Sequence, residues 1–364
     1  MERRLEVTEL GLVEYDDGLD LQKDLREKVQ AGEIPDQLLL LEHPPVITLG
    51  RNSGDGNVVA SPEELASRGV SVFEAGRGGD VTFHGPGQVV GYPILDLKPD
   101  RRDVRKYVRD LEEVIIRTLA EYGVSTGRIP GLTGVWMADL KVAAIGVRIS
   151  RWVTSHGFAL NVDNDLSYFD TIVPCGISDR GITSLSRLAK RDIDRTELHG
   201  HLAHHMAEVF ERELITRDVT SRSVQSWVWR EADGGGIEVL LIKRVPKDGG
   251  FWQPVTGMIE EGETAAEAAS RETLEETGVT GPATDLEFIR AFRLSPRFTR
   301  SKDRYPWINE ESAFAIQTDE KAAVTLSPDE HEQYLWLNPS EARERLKWNG
   351  NKRALDRLLR HLGR

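Results

Sequence analysis

Three carboxylates, Glu272, Glu275 and Glu276, stand at i, i+3 and i+4, a spacing that puts all three on one face of any helix containing them. No other feature constrains the chain as tightly. Like charges so placed repel, so a helix that keeps them is either a solvated acidic surface or the wall of a site where a hard divalent cation neutralises them through oxygen ligands. The flanking sequence supplies the frame for such a site. Ala265 to Thr277 reads as helix, and the loop Gly257-Met258-Ile259-Glu260-Glu261-Gly262-Glu263 precedes it.

The 364 residues exceed what one hydrophobic core usually organises, so two domains are expected. The first reads as residues 1–215, a polar linker as 216–222 and the second domain as 223–364. In the first, Gln37 to Leu49 predicts two short apolar strands broken at Pro44-Pro45. Val104, Val108, Leu111, Ile115 and Leu119 fall at helical spacing, with Gly123 as a stop. Gly134 to Met137, Lys141 to Ser150 and Phe158 to Val162 read as strands, and Glu197 to Leu214 as a helix. In the second, a strand opens at Val224, turns at Asp233-Gly234-Gly235-Gly236 and returns over Ile237 to Lys243. A terminal helix is expected from Asn351 to Leu362. Strands and helices mix in both halves, an α+β pattern.

Composition narrows the functional classes. Hydrophobic residues at 39% and charged residues at 29% are those of a globular protein. Both halves are acidic, with 26 Lys+Arg against 36 Asp+Glu before Val219 and 21 against 24 after it. A nucleic-acid partner, which needs a basic face, is not expected. Arg101, Arg102, Arg105, Lys106 and Arg109 offer a local positive patch, readable as a docking patch for an acidic protein or as a solvated helix face. No apolar run is long enough to span a bilayer and Met1 to Glu9 is charged, so no membrane association and a cytoplasmic location are expected. The single cysteine, Cys175, cannot form an internal disulfide and is either a packing residue or a reactive one. His199, His201, His204 and His205 read as a solvated helix face.

The glycine-dense segment Gly76 to Gly91, GRGGDVTFHGPGQVVG, lets backbone amides approach a ligand closely, because glycine lacks a Cβ and reaches positive φ. A set of structural turns is the plainer reading. A thiolate is the nucleophilic form of cysteine, and a free thiol with a pKa of about 8.5 is mostly protonated at neutral pH, so a nearby cation such as Lys141 would raise its reactive fraction.

The run Arg77-Gly78-Gly79-Asp80-Val81-Thr82-Phe83-His84-Gly85-Pro86-Gly87-Gln88 resembles the signature of the lipoyl(octanoyl) transferases. Similar motifs follow in the same order: Gly134-Val135-Trp136, Lys141 to Arg148, His156 to Val162, Pro174-Cys175-Gly176 and Thr183-Ser184-Leu185. The resemblance covers about residues 5 to 213 and implies a lipoate/biotin ligase-like mixed-sheet domain that uses no cofactor. It implies that Cys175 takes an octanoyl group from octanoyl-acyl carrier protein as a thioester. A lysine of a lipoyl domain, in 2-oxoacid dehydrogenase complexes or the glycine cleavage H protein, would then receive it. Lys141 would keep the thiol ionised and accept a proton from the attacking amine. Substrate contacts are implied at Arg77, Gly78, Gly79, Asp80, Val81, Thr82, Phe83 and His84, at Ala144, Ile145 and Gly146, and at Gly157, Phe158 and Ala159. His84 is implied as a positioning side chain. The competing reading is an ATP-dependent lipoate or biotin ligase, which needs no cysteine.

Gly257 to Glu263 and Arg271 to Val279 resemble the Nudix box over about Ser223 to Leu362, with Thr273 in place of an aliphatic residue. The resemblance implies an α/β/α sandwich holding Mg2+ or Mn2+ on Glu272, Glu275, Glu276 and Glu330, with a nucleotide-like small molecule as substrate. Arg271 would pair with Glu263. Phe251 to Gly257, Glu330-His331 and Lys347 to Lys352 resemble the dihydroneopterin triphosphate and dATP pyrophosphohydrolase branch, in which Trp252 and Trp348 would stack on a planar base or serve as core. A nucleotide-sensing regulatory module is the alternative.

Overall fold

The structure is a computed structural model that describes all residues except 1–2, 55, 100, 174–179, 217–219, 233–234, 294–307 and 320–322, with side chains also left aside at 216, 220, 248, 293 and 349. Cys175 therefore lies outside the described residues. The chain divides into two compact units, Met1–Asp218 and Val219–Arg364. Among the described residues no helix is long and apolar enough to cross a membrane.

The first unit begins with strand β1 (Arg4–Leu12), helix α1 (Tyr15–Ala31), β2 (Asp36–Glu42), β3 (Val46–Leu49), α2 (Pro62–Ser67), β4 (Ser71–Glu74) and β5 (Thr82–His84). It continues through β6 (Gln88–Ile94), α3 (Val104–Glu121), β7 (Gly127–Ile129), β8 (Leu132–Met137), β9 (Leu140–Ser150) and β10 (Val153–Asn161). The last elements are β11 (Gly181–Ile182), α4 (Leu185–Ala189), α5 (Arg195–Phe210) and β12 (Glu213–Thr216).

A mixed sheet in the order β12-β1-β2-β6-β10-β9-β8-β7 forms the centre, and β11 joins β9 beside it. Leu38, Leu39, Leu40 and Leu41 are all buried, because β2 is covered on both faces and its run is apolar without alternation. Helix α3 is capped by Asp103, whose carboxylate accepts from the Arg105 and Lys106 amides at 2.9 and 3.0 Å. Its Tyr107, Leu111, Val114, Ile115 and Leu119 join Leu198, Leu202, Met206 and Phe210 of α5 in the main core against the sheet. The small sheet β4-β3-β5 carries the glycine-dense segment.

Three local expectations change. The helix read over Glu197 to Leu214 stops at Phe210, where Glu211 adopts left-handed φ, and Glu213 to Thr216 instead pairs in parallel with β1. The basic run is partly neutralised, since Arg101 is buried against Asp110 and Lys106 pairs with the same carboxylate. Within the histidine group only His204 is a solvated side chain; His205 is buried between Glu121 and Glu208 at 3.0 and 3.3 Å.

The second unit contains β13 (Thr220–Ala232), β14 (Gly236–Arg244), β15 (Trp252–Gln253), β16 (Val255–Met258), α6 (Ala265–Thr277), β17 (Ala283–Arg293), β18 (Ile308–Gln317), β19 (His331–Leu337), α7 (Pro339–Arg345) and α8 (Asn349–His361). Strand β13 thus opens four residues before Val224 and pairs in parallel with β18 from Thr220 to Trp229. Alternate residues of β13 take opposite sides of the sheet. On one face, Trp227 packs with Ala342, Leu355 and Leu358 of α7 and α8; on the other, Val224 packs with Ala268 and Ala269 of α6. The result is the α/β/α sandwich.

Candidate active sites

In the first unit a cavity of about 610 Å3 is bounded by the glycine-dense segment, β9, β10 and the start of α3. The segment is held open by Arg77. Its buried guanidinium donates to the Thr48 carbonyl (2.7 Å) and hydroxyl (2.8 Å) on β3 and to the Asp80 carbonyl (2.7 Å). Asp80 in turn accepts from Asn57 at 2.6 Å and from the Val81 amide at 2.7 Å. Gly50 and Gly146 make room for this clamp, because a Cβ at either would meet the Arg77 side chain within 3 Å.

Arg77, Gly78, Gly79, Asp80, Val81, Thr82 and His84 line the cavity, as do Ala144, Ile145, Gly146, Gly157, Phe158, Ala159 and Lys141. Phe83 is a correction. Alternation along β5 sends its ring to the opposite side from Thr82 and His84, where it stacks on Tyr168 at 4.7 Å in a separate core. His84 is buried, with Nδ1 2.8 Å from Gln88 Oε1. Gln88 donates onward to Asn161 at 2.9 Å, and Asn161 donates to the Thr183 carbonyl at 3.1 Å. Burial, reinforced by neighbouring His43, lowers His84 to a pKa of about 3, so its ring is neutral at ordinary pH. The sequence reading missed Tyr15, Tyr92, Trp136, His156 and Arg180 as lining residues.

Lys141 is fixed by its strand and by an aromatic ring. Its Nζ lies 4.7 Å from the centroid of Trp136, and Arg180 approaches the same ring. The backbone registers Lys141 with Ile182 of β11, and the Thr183 amide donates to the Lys141 carbonyl at 2.9 Å. Cys175 precedes β11 by six residues in the sequence.

In the second unit the capping box of Thr264 and Glu267 starts α6. Thr273, buried, satisfies its hydroxyl by donating to the Ala269 carbonyl at 2.7 Å. Arg271 donates to both oxygens of Glu263 (2.8 and 2.9 Å), to the Met258 carbonyl (2.9 Å) and to Glu272 (2.8 Å), which ties the preceding loop to the helix. Glu276 is buried, and one of its oxygens has no hydrogen-bond partner. Burial, with Glu330 and Glu272 adding repulsion against the opposing Arg244, pushes Glu276 up to about 8. Glu272 is also raised, chiefly by burial.

Glu276, Glu330 and His331 each bring a ligand atom within 4.8 Å of the others. An unpartnered buried carboxylate oxygen facing other oxygen and nitrogen donors fits a divalent cation. His331 was not read as a member of this group from the sequence. Glu330 also accepts from Arg244 at 3.0 Å, and Glu275 is largely exposed, 3.3 Å from Arg271. Trp252 packs against the core, whereas Trp348 is 38% exposed and edge-on to Phe251.

A ligase-like mixed sheet with a clamped glycine loop, followed by a carboxylate helix on a sandwich, defines the class. Residues 14–207 match the Lipoyl protein ligase A/B catalytic domain, and residues 220–358 match the NUDIX domain. The chain belongs to the octanoyltransferase family within that catalytic-domain class, as an enzyme with a fused Nudix domain. An octanoyltransferase of Myxococcus xanthus is 44% identical over 357 residues, covering 96% of this chain and 98% of the relative. One from Solibacter usitatus is 52% identical over 207 residues, covering 57% of this chain and 93% of its own length. Among solved structures, the E. coli dihydroneopterin triphosphate pyrophosphohydrolase is 27% identical with a TM-score of 0.34, covering 38% of this chain and 95% of that one; so low a score adds nothing to the assignment.

Proposed function

We propose that the first unit moves an octanoyl group from octanoyl-acyl carrier protein to a lysine of a lipoyl domain through a thioester on Cys175. The observation that carries this reading is Lys141, an ammonium on the wall of an acyl-sized cavity whose strand pairs with the segment following Cys175. Attack of the thiolate on the donor thioester forms the acyl-enzyme and expels the carrier thiolate, which takes a proton from the Lys141 ammonium and leaves as the thiol, so that Lys141 becomes a neutral amine. The lipoyl-domain amine then attacks the acyl carbon, the Cys175 thiolate leaves, and Lys141 takes up the amine's proton. The clamped backbone from Gly78 to Thr82, with Ala144 to Gly146 and Gly157 to Ala159, walls the acyl chain. Neutral His84, tied to Gln88, positions the loop.

The donor requirement tests this reading against its ligase alternative. Octanoylation of a lipoyl domain should require octanoyl-acyl carrier protein and proceed without ATP. Transfer from free octanoate that depends on ATP would assign the ligase chemistry instead.

For the second unit the reading is a pyrophosphohydrolase acting on a nucleotide-like triphosphate, of the dihydroneopterin or deoxynucleoside kind. Glu276, Glu330 and Glu272 would hold a magnesium or manganese ion, with Glu275 at the exposed edge. The bound ion would supply phosphate polarisation and a more acidic water. Arg271 keeps the loop and Glu272 in place. Pyrophosphate release should vanish in Glu276→Gln or in chelator while octanoyl transfer persists; cleavage confined to dinucleoside polyphosphates or ADP-ribose would assign another substrate branch.

A further inference from the structure

A second, smaller cavity of about 220 Å3 lies between α1, Gly76 and the strands β9 and β10. Its wall is basic in an otherwise acidic chain. Lys23 and Arg26 come from one face of α1 and Arg148 from β9, with Asp20 as the only carboxylate among the described residues that line it. Among the described residues none of the three cations takes part in an ion pair. Lys23 and Arg148 are exposed and Asp20 is close by, so water and that carboxylate screen part of their repulsion, but an anion placed among the three cations is attracted by all of them. Gly76 lets Arg148 come close, since a Cβ there would lie 2.8 Å from its guanidinium nitrogen.

A neutral donor adds to the charges. Gln22, which lines the same cavity, is 3% exposed. Its Oε1 accepts from the His156 amide at 2.6 Å, which fixes the orientation of the side-chain amide. Nε2 is then a buried donor without an acceptor, an unfavourable state in a finished core. His156 itself has φ of 55°, a left-handed backbone that a non-glycine residue adopts at an energetic cost, as is common at ligand clamps. Its ring is kept neutral, with a pKa near 4, first by burial and then by Arg77, Arg148 and Arg26. It therefore adds no further charge at ordinary pH.

We propose that this cavity binds a phosphate group, held by Lys23, Arg26 and Arg148 with the Gln22 amide as the neutral donor. Two guanidinium forks and an ammonium suit a tetrahedral dianion better than a single carboxylate. Arg148 lies seven residues along β9 from Lys141, roughly 23 Å, so the phosphate is not part of the reacting group. It is either a free phosphate or an ester elsewhere on the acyl donor. His156 lines both this cavity and the larger one, so occupancy of one alters the wall of the other. The inference does not depend on the thioester chemistry of Cys175.

The test uses the full chain in chelator, so that metal-held phosphate at the second unit does not contribute, and titrates inorganic phosphate by calorimetry. Saturable binding at one site is expected, weakened at least tenfold in Arg26→Gln and in Arg148→Gln and unchanged in the distant Arg117→Gln. Circular dichroism and the melting temperature identify any variant that fails to fold, and the exposed Lys23→Ala then provides the same comparison. Absence of saturable binding, or binding unchanged by these substitutions, would overturn the proposal. A raised KM in the same variants for a carrier-protein thioester, but not for an octanoyl thioester of a thiol lacking phosphate, would assign the phosphate to the donor. Equal KM values for both, with phosphate binding lost, would assign it to a free ligand.

Discussion

Gly257 lies directly against Glu272: a Cβ at that glycine would sit 1.8 Å from the carboxyl carbon. The contact is with the far end of a flexible side chain, so Gly257→Ala should fold and displace the carboxylate. A misplacement of about 1 Å at a reacting site costs ~10²-fold in rate. Metal-dependent hydrolysis should therefore fall by about two orders of magnitude in this variant, with octanoyl transfer and melting temperature close to wild type. Hydrolysis at the wild-type rate would mean that Glu272 does not serve the reaction.

Lys141→Met should slow acylation of Cys175 most at neutral pH and least at high pH, where the thiol ionises unaided. Single-turnover acylation measured from pH 7 upward should show the deficit closing. A deficit constant across that range would make Lys141 a structural residue that steadies Trp136 rather than a participant in proton transfer.

Stability should depend on three buried histidines. Burial is the largest cause lowering His43 to about 4, His84 to about 3 and His156 to about 4, all below the unfolded value of about 6.5. Between the folded and unfolded values the unfolded chain binds more protons, so stability rises with pH there. The contribution is fully present above pH ~6.5 and is lost as pH falls toward 4 and below, at up to about 1.4 kcal/mol per pH unit for each histidine. Urea unfolding of the first unit across this window should show that slope, and His43→Gln should reduce it. A flat profile from pH 6.5 to 4 would contradict the burial of these rings.

The sequence disclosed most of what local pattern controls. The β2–Pro-Pro–β3 break, α3 with its Gly123 stop and the carboxylate face of α6 follow from periodicity and punctuation. Strand β10 begins at Val153, five residues before Phe158, because Thr154, Ser155 and His156 look like loop residues until their partners are known. Thr154 is satisfied by the Leu95 amide and the Pro93 carbonyl, and the His156 backbone by Gln22, all distant in sequence. Strand β12 owes its conformation to β1, so the helical appearance of Leu214 was overridden by a tertiary pairing. Phe83 was legible in type but not in direction, since the parity of a three-residue strand is set by its neighbours. His331 shows no periodic signal; only the approach of β19 to α6 brings it to Glu276, 3.9 Å away.

The proposed covalent intermediate on Cys175 is accessible to intact-mass analysis after incubation with octanoyl-acyl carrier protein in the absence of a lipoyl domain. The wild-type chain should gain the mass of one octanoyl group, Cys175→Ser should not, and the added mass should disappear when a lipoyl domain is supplied. An unmodified mass while octanoyl transfer to the lipoyl domain still proceeds would contradict it.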